Sequence, residues 1–449
     1  MKTNLYFATL VSALGGFLFG FDTAVISGTT SFITPYFALT DLTLGFTVAI
    51  ALIGTILGSI VVGKPSDIYG RNAMLKITAL FYMACAIGCG LAPNWYVLLF
   101  SRFLGGLAVG AASVVAPMYI AEISPAETRG RMVAFSQLNI VLGVLVAFLS
   151  NYLLVDIGPT NWRWMFGVQF FPALLFFLLL YFIPASPRWL VRKGRPAEAK
   201  AVLLRLGLPD VDQQMQDIQQ SLHSESGQAK TPIFQRKYRI PVLAAVLLGI
   251  FNQLSGINVI MYYAPMIFEK TGLSSSDAVQ QAVIIGVTNL VFTVLAMAVI
   301  DKLGRKTLLL IGSVGMSVFL AMVGRVFLLQ QFGGYGVLIY ILGYIAFFAF
   351  SQGAVIWVFL AEIFPNKIRA RGQAMASFIL WITNAVISWL FPSVLNAVGG
   401  GAAFLFHSAM MMIQFFFVWR ALPETRGVSL EELERRLVKI GRASCRERV

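Results

Sequence analysis

Apolar runs of about 17 to 25 residues recur along the chain, separated by short polar stretches, and that length crosses the roughly 30 Å hydrocarbon core of a bilayer as a helix. The pattern predicts twelve helices, near 5–28, 44–62, 73–91, 97–118, 133–155, 164–183, 241–264, 278–300, 307–328, 336–361, 373–395 and 402–420. The expected fold class is therefore all-α and polytopic. One long stretch departs from the pattern. Residues 185–240 are polar and contain helix-forming segments such as "RPAEAKAVLLRL", so they are expected to make a small cytoplasmic helical linker.

The polar punctuation repeats. "SDIYGRN" (Ser66 to Asn72) after the second helix answers "IDKLGRK" (Ile300 to Lys306) after the eighth. "AEISPAETR" (Ala121 to Arg129) answers "AEIFPNKIR" (Ala361 to Arg369), and "PASPR" (Pro184 to Arg188) answers "PETRG" (Pro423 to Gly427). The offsets are all about 235 to 240 residues, as two parallel repeats of one unit require. The predicted organisation is a six-helix half over 1–184, the linker over 185–240, a second pseudo-symmetric six-helix half over 241–422 and a short C-terminal helix over 423–439. The loop charges Asp67, Arg71, Glu122, Arg129, Arg188, Asp301, Arg305, Glu362, Arg369 and Glu424 can form charge-assisted pairs between halves that close the cytoplasmic side. Read without the repeat, they are solvated charges worth at most about 1 kcal/mol each.

Composition agrees with a bilayer: hydrophobic residues make up 58% of the 449 and charged residues 12%, about half the charge of a soluble protein. The formal net charge of +14 raises the question of nucleic acid, but its distribution answers it. With both termini cytoplasmic, roughly thirty of the Lys and Arg residues fall on the cytoplasmic side, leaving Arg163, Lys270 and Arg325 outside. The first helix, preceded only by Lys2, is read as retained, not as a signal peptide. Three cysteines show no metal or disulfide spacing; Cys85 and Cys89 are read as packing. His407 is read as a packed or partner-bonded side chain.

Two sets of polar residues sit where a bilayer penalises them. In "GGFLFGFDTAVISG" Asp22 stands alone among apolar and small residues, and Arg102 lies inside the fourth helix. An ionised side chain at mid-bilayer costs roughly 2.5–3.5 kcal/mol on insertion scales, so each needs a use. The second set is neutral. In "FNQLSGINVIMYY" of the seventh helix, Gln253, Asn258 and Tyr262 share one broad face and Gly256 permits local unwinding. Gln137, Asn289 and Asn384 are further buried amides, and Trp357 and Trp381 offer flat stacking surface. Amides present donors and acceptors without fixed charge, as a hydroxyl-rich ligand demands. The alternative for any single amide is a helix-to-helix hydrogen bond of about 0.6 kcal/mol.

Taken together, "GFLFGFDTAVISG", "PMYIAEISPAETRGR", "PASPRWL", "NQLSGINVIMYYAP", "VTNLVFTVLAMAVIDKLGRK", "AEIFPNKIRARG" and "LPETRG" resemble the sugar porter family of the major facilitator superfamily, which includes bacterial proton-coupled xylose and glucose symporters and animal glucose facilitators. The resemblance implies the major facilitator fold and a central sugar site facing each side of the membrane in turn. It assigns Gln137, Gln253, Asn258, Asn289, Trp357 and Asn384 to sugar contacts and Phe19, Tyr262, Gly353 and Trp381 to the surrounding wall. Asn252 replaces the first of the usual paired glutamines. Val144 and Leu380 are apolar where the xylose symporter has glutamines, Ala354 stands where proline is common, and Ile68, Asn72 and Ala185 replace charged gate residues.

Family symporters carry an aspartate at the position of Asp22 and an arginine at that of Arg102. A carboxylate beside an arginine is ionised, and one moved away into an apolar setting takes up a proton. The resemblance thus implies proton coupling, the alternative being a static ion pair. The expected function is import of a monosaccharide with a proton by alternating access, in the cell (inner) membrane; the rivals are a proton-independent facilitator and a non-transporting sugar sensor. No nucleophile, metal cluster, cofactor site or phosphate loop suggests an enzyme. The expected partners are monosaccharide, proton and membrane lipid, without nucleic acid, and the chain is expected to be monomeric. "IGRASCRERV" (440–449) has no counterpart in the family and can be reverse-translated to a sequencing adapter, so it is expected to be a non-native tail.

Overall fold

A computed structural model describes residues 2–125, 128–208, 210–226, 232–235, 238–332, 335–365, 368–422 and 424. The predicted C-terminal helix and the suspect tail lie outside these residues, apart from Glu424. The described secondary structure is helical throughout: α1 (Lys2–Tyr36), α2 (Asp41–Val61), α3 (Gly63–Tyr69), α4 (Arg71–Gly90), α5 (Trp95–Ile123), α6 (Arg129–Leu154), α7 (Asn161–Gly167), α8 (Phe170–Leu179), α9 (Pro187–Arg192), α10 (Pro196–Leu206), α11 (Val211–Ser226), α12 (Arg239–Leu254), α13 (Ile257–Glu269), α14 (Ser275–Leu303), α15 (Arg305–Leu329), α16 (Gly336–Phe348), a π-helical turn (Ala349–Gly353), α17 (Ala354–Glu362) and α18 (Arg369–Ala421).

Among the described residues, eleven helical stretches are long and apolar enough to cross a membrane, the last being Arg371–Ala421 with 51 residues. A helix of that length would run about 75 Å, more than twice the hydrocarbon thickness. Gly399, at φ 79° and ψ 158°, divides it, so this stretch supplies two of the twelve predicted spans.

The chain divides into two compact units, one of residues 1–40 and 46–229, the other of residues 41–45 and 230–449. In the first, α1 packs along α5 and α6, and α4 along α5. Residues 185–229 of the polar linker belong to this unit. The reason is its apolar stripe: Ala199, Leu203, Leu206 and Met215 are buried in one core with Leu5, Ala8, Val62 and Leu190. In the second unit α18 packs on α12 and α15.

The repeat is visible in backbone detail. Gly70, between α3 and α4, has φ 91° and ψ 159°, and Gly304, between α14 and α15, has φ 87° and ψ 157°. A side chain at either position would be strained, so the glycine of each "GR" pair is what lets the chain turn directly from one helix into the next.

Candidate functional site

Each unit buries one polar cluster. In the first, α5 begins where Asn94 Oδ1 accepts the Val97 N–H at 3.0 Å, which caps one of the otherwise unpaired amides of a helix start. Two turns further on this helix carries Arg102 beside Asp22 of α1. Arg102 Nη1 donates to Asp22 Oδ1 at 3.2 Å and to the Asp22 carbonyl at 3.3 Å, and both side chains are 2% exposed. Two further donors reach the same carboxylate oxygen, Gln169 Nε2 at 3.4 Å and the Cys85 thiol at 3.7 Å. Phe166 places its ring 5.7 Å from the guanidinium.

Pattern reading found the two charges and missed Cys85 and Gln169. The signal for them was their presence as polar groups in apolar runs, but α4 and α8 with its preceding residue gave no spacing that tied them to Asp22. Taking two charges out of water costs several kcal/mol per ion, recovered only when geometry and extra hydrogen bonds are good. The cluster meets that condition with donors from three helices or their ends. Chemically it is a carboxylate oxygen held by a permanent cation and two neutral donors.

In the second unit the seventh span breaks as the sequence indicates. Gly256 has φ 84° and separates α12 from α13, while Ser255 Oγ donates to the Asn252 carbonyl at 2.6 Å and Tyr344 OH to the Ser255 carbonyl at 2.9 Å. These bonds satisfy backbone that the break would otherwise leave unpaired in the membrane. His407 lies against the break, with its Nδ1 2.8 Å from the Leu254 carbonyl; this is the partner its buried position requires.

The break brings three predicted amides together. Asn258 Nδ2 donates to Gln253 Oε1 at 2.6 Å, and Gln253 Nε2 donates to Asn252 Oδ1 at 2.9 Å. One side of this group continues inward, where Asn252 Nδ2 donates to Gln352 Oε1 at 3.2 Å. A second pair forms further along: Asn384 Nδ2 donates to Tyr262 OH at 3.3 Å, and Asn384 Oδ1 accepts from Ser388 Oγ at 2.9 Å. Trp381 and Asn289 are buried on α18 and α14, whereas Trp357 on α17 is 40% exposed. Gly353 ends the π turn. On the first unit, Phe19 and Gln137 are half-buried on α1 and α6. Gln352 was not anticipated from the sequence; the π turn that carries it has no distinctive pattern.

The paired loop motifs build a matching Arg–Glu ion pair in each unit. Arg71 holds Glu122 at 2.9 Å and Asp67 at 3.0 Å, and Arg192, not anticipated, binds Asp67 at 2.7 Å. Ser186 Oγ donates to the other Glu122 oxygen. In the second unit Arg305 binds Glu362 at 3.0 Å, and Glu424 accepts the backbone N–H groups of Arg305 and Lys306 at 2.9 and 3.0 Å, an anion at a helix N-terminus. These pairs join residues of one unit, where the sequence suggested pairs between halves. Arg369 Nε donates to the Phe364 carbonyl at 3.3 Å, and Arg188 is half-buried on α9. The side chains of Arg129 and Asp301 lie outside the described residues.

The chain is similar along its length to known proteins. The D-xylose-proton symporter of Escherichia coli (strain K12) is 38% identical over 476 residues, covering 96% of each chain. The glucose transport protein of Synechocystis sp. is 37% identical over 456 residues, covering 96% of this chain and 97% of its own. A solved partially occluded, inward-open conformation of the xylose transporter XylE from E. coli superposes with a TM-score of 0.85 at 36% identity, over 95% of this chain and all of that one. The family model described as sugar (and other) transporter matches residues 8–437. A multi-pass helical chain that is similar along its whole length to these proteins, and shares their fold, belongs to the sugar transporter family of the major facilitator superfamily.

Proposed function

We propose that this protein imports a monosaccharide, a hexose or pentose such as glucose or xylose, together with a proton by alternating access. The observation that carries the reading is the presence of two buried polar groups in one chain: Asp22 held by Arg102 in one unit, and a neutral amide group, Asn252–Gln253–Asn258, in the other. The relatives' names, a D-xylose-proton symporter among them, support the same chemistry. Asp22 and Arg102 couple the proton. Gln253, Asn258, Asn289 and Asn384 hydrogen-bond the sugar, Asn252, Tyr262 and Gly353 shape the pocket around them, and Trp357 and Trp381 supply its apolar surface. The clusters around Arg71 and Arg305 hold the cytoplasmic loops in one state and release them in another. The chain works as a monomer in the cell (inner) membrane with both termini in the cytoplasm.

A neutral polyhydroxylated ligand loses its water on binding and needs replacement partners of both kinds, which amides provide. The carboxyl needs an arginine that holds it in one state and leaves it in another, so that a proton is taken up with each cycle. At 100 mV one proton supplies about 2.3 kcal/mol, enough for roughly fifty-fold accumulation. Uptake of labelled sugar into proteoliposomes under an imposed pH gradient, with a panel of competing sugars, tests the whole reading. Sugar that equilibrates without concentrating leaves a facilitator; no uptake of any monosaccharide ends the proposal.

A further inference from the structure

The amide group at the helix break is the outer end of a longer chain of hydrogen bonds. Beyond Asn252 Nδ2 and Gln352 Oε1, Gln352 Nε2 donates to Gln414 Oε1, and Gln414 Nε2 donates to Ser313 Oγ at 3.1 Å. Ser313 Oγ in turn donates to the Leu309 carbonyl at 2.7 Å. Six side chains from α12, α13, the π turn, α18 and α15 are thereby joined. All but the half-buried Asn258 are at least nine-tenths buried, with Gln414 and Ser313 at 0% exposure.

The chain has a direction, and its far end sets it. The Leu309 carbonyl can only accept, so the Ser313 hydroxyl gives it a proton and turns its lone pairs to Gln414. Gln414 must then present its NH₂ to Ser313 and its oxygen to Gln352. The same constraint passes through Gln352, Asn252 and Gln253 to Asn258, because reversing any one amide sets two donors or two acceptors against each other. The wider π turn places Gln352 in line with Asn252 on one side and Gln414 on the other, where an unbroken α-helix would rotate it away. Met411 Sδ, 3.6 Å from Gln352 Nε2, is a weak acceptor and offers no competing anchor.

We propose that Gln352, Gln414 and Ser313 are positioning residues that fix which face of the Asn252–Gln253–Asn258 group donates and which accepts. They thereby set the pattern of hydroxyls that the site prefers among neutral polyhydroxylated ligands. The proposal rests on reading Gln253 and Asn258 as sugar contacts. If the chain served only to hold helices together, its loss would lower stability modestly, since such bonds are worth about 0.6 kcal/mol each in membranes, and would weaken every sugar alike. A positioning chain changes the ranking.

The test uses the purified full-length protein and measures affinities for D-xylose, D-glucose and their singly deoxygenated analogues in wild type, Ser313→Ala, Ser313→Thr and Gln414→Leu. Ser313→Ala and Gln414→Leu are expected to change the affinity ratio between the parent sugar and at least one deoxy analogue about five- to tenfold, the effect of one buried hydrogen bond gained or lost. Ser313→Thr keeps the hydroxyl and is expected to restore the wild-type ratio. If Gln414→Leu does not fold, the Ser313 pair decides the matter, since it differs from wild type by one oxygen or one methyl group. Wild-type binding with ratios unchanged in Ser313→Ala overturns this proposal alone, whereas a wild type that binds no monosaccharide overturns the underlying reading with it.

Discussion

The cluster around Asp22 and the chain ending at Asn258 are both buried and polar, yet they are built on opposite plans. The first gathers an arginine, an amide and a thiol on a single carboxylate oxygen. The second spreads neutral groups in a line, each giving one hydrogen bond and taking one. In the proposed reading the convergent charged cluster serves coupling. The linear amide chain carries no charge and is held in one direction by its far end, so it serves recognition. The predictions that follow test whether the division is real.

The largest effect is expected at Asp22. Asp22→Asn keeps size and most hydrogen bonding but cannot titrate, so pH-driven accumulation of sugar in proteoliposomes is expected to fall from many-fold to none. Binding of sugar is expected to persist, because the amides of the second unit are untouched. Accumulation equal to wild type would assign Asp22–Arg102 to a static pair. Arg102→Ala is more damaging to the fold: it leaves a buried carboxylate without its cation, a loss of about 3–5 kcal/mol. Thermal unfolding in detergent is expected to show that loss, and adding Asp22→Asn is expected to recover part of it.

The second effect belongs to the other plan. Gln253→Ala removes the middle of the outer amide group and strands Asn258 Nδ2 and Asn252 Oδ1, so it is expected to cost about 1–3 kcal/mol of sugar affinity. Proton-driven steps that do not require tight sugar binding are expected to remain. Isothermal titration of the folded mutant checks this, and unchanged affinity would remove Gln253 from the site.

The two plans also differed in how much of them could be read from the sequence. A carboxylate in an apolar run is rare enough to stand out alone, and Asp22 and Arg102 did so although they are 80 residues apart in sequence. The helix break could be read too, because Gly256 interrupts a run of amides. The inner half of the amide chain could not. Ser313, Gln352 and Gln414 come from three helices far apart in sequence, and any one of them in a membrane helix is commonplace. Only the packing of α15, the π turn and α18 puts them in line. The linker shows a different limit: its polar composition suggested a cytoplasmic helical segment, but only the packing shows Ala199, Leu203 and Leu206 buried in the core of the first unit. The tenth span, with Ala354 where proline is common in the family, contains a π turn at Ala349–Gly353 that its sequence did not announce.

A third effect compares the repeated loop clusters. Glu122 is 9% exposed and Glu362 27% exposed in their pairs with Arg71 and Arg305. Water screens the second pair more, so Glu122→Gln is expected to lower the unfolding temperature more than Glu362→Gln does. The Glu122 change is expected to fall within about 1–3 kcal/mol. Equal shifts would mean that the repeat matches in energy as well as in geometry, and that burial is not what separates the two.

The smallest effect is expected at Arg195 and Glu198, and it sharpens the comparison because its geometry is the best of all. Arg195 Nε and Nη2 bind the two Glu198 oxygens at 2.6 Å each, closer than the 3.2 Å of Arg102 and Asp22. Both residues are about half exposed on the linker, where water competes for each charge and such pairs contribute little. The arginine's hydrogen bond lowers the Glu198 pKa below its ordinary value. A carboxylate depressed in the folded state adds stability above its unfolded pKa and loses it as pH falls through the lower folded one. Any contribution is therefore present at neutral pH and disappears only in the acid range below the ordinary glutamate value. Glu198→Gln is expected to leave the unfolding temperature at pH 7 and the uptake rate unchanged, and to flatten slightly the loss of stability between about pH 5 and pH 3. A large loss at pH 7 would show that short contact distance alone gives a charge pair its strength. The expected silence of this mutant, set against the stability loss expected of Arg102→Ala, places that strength in the exclusion of water.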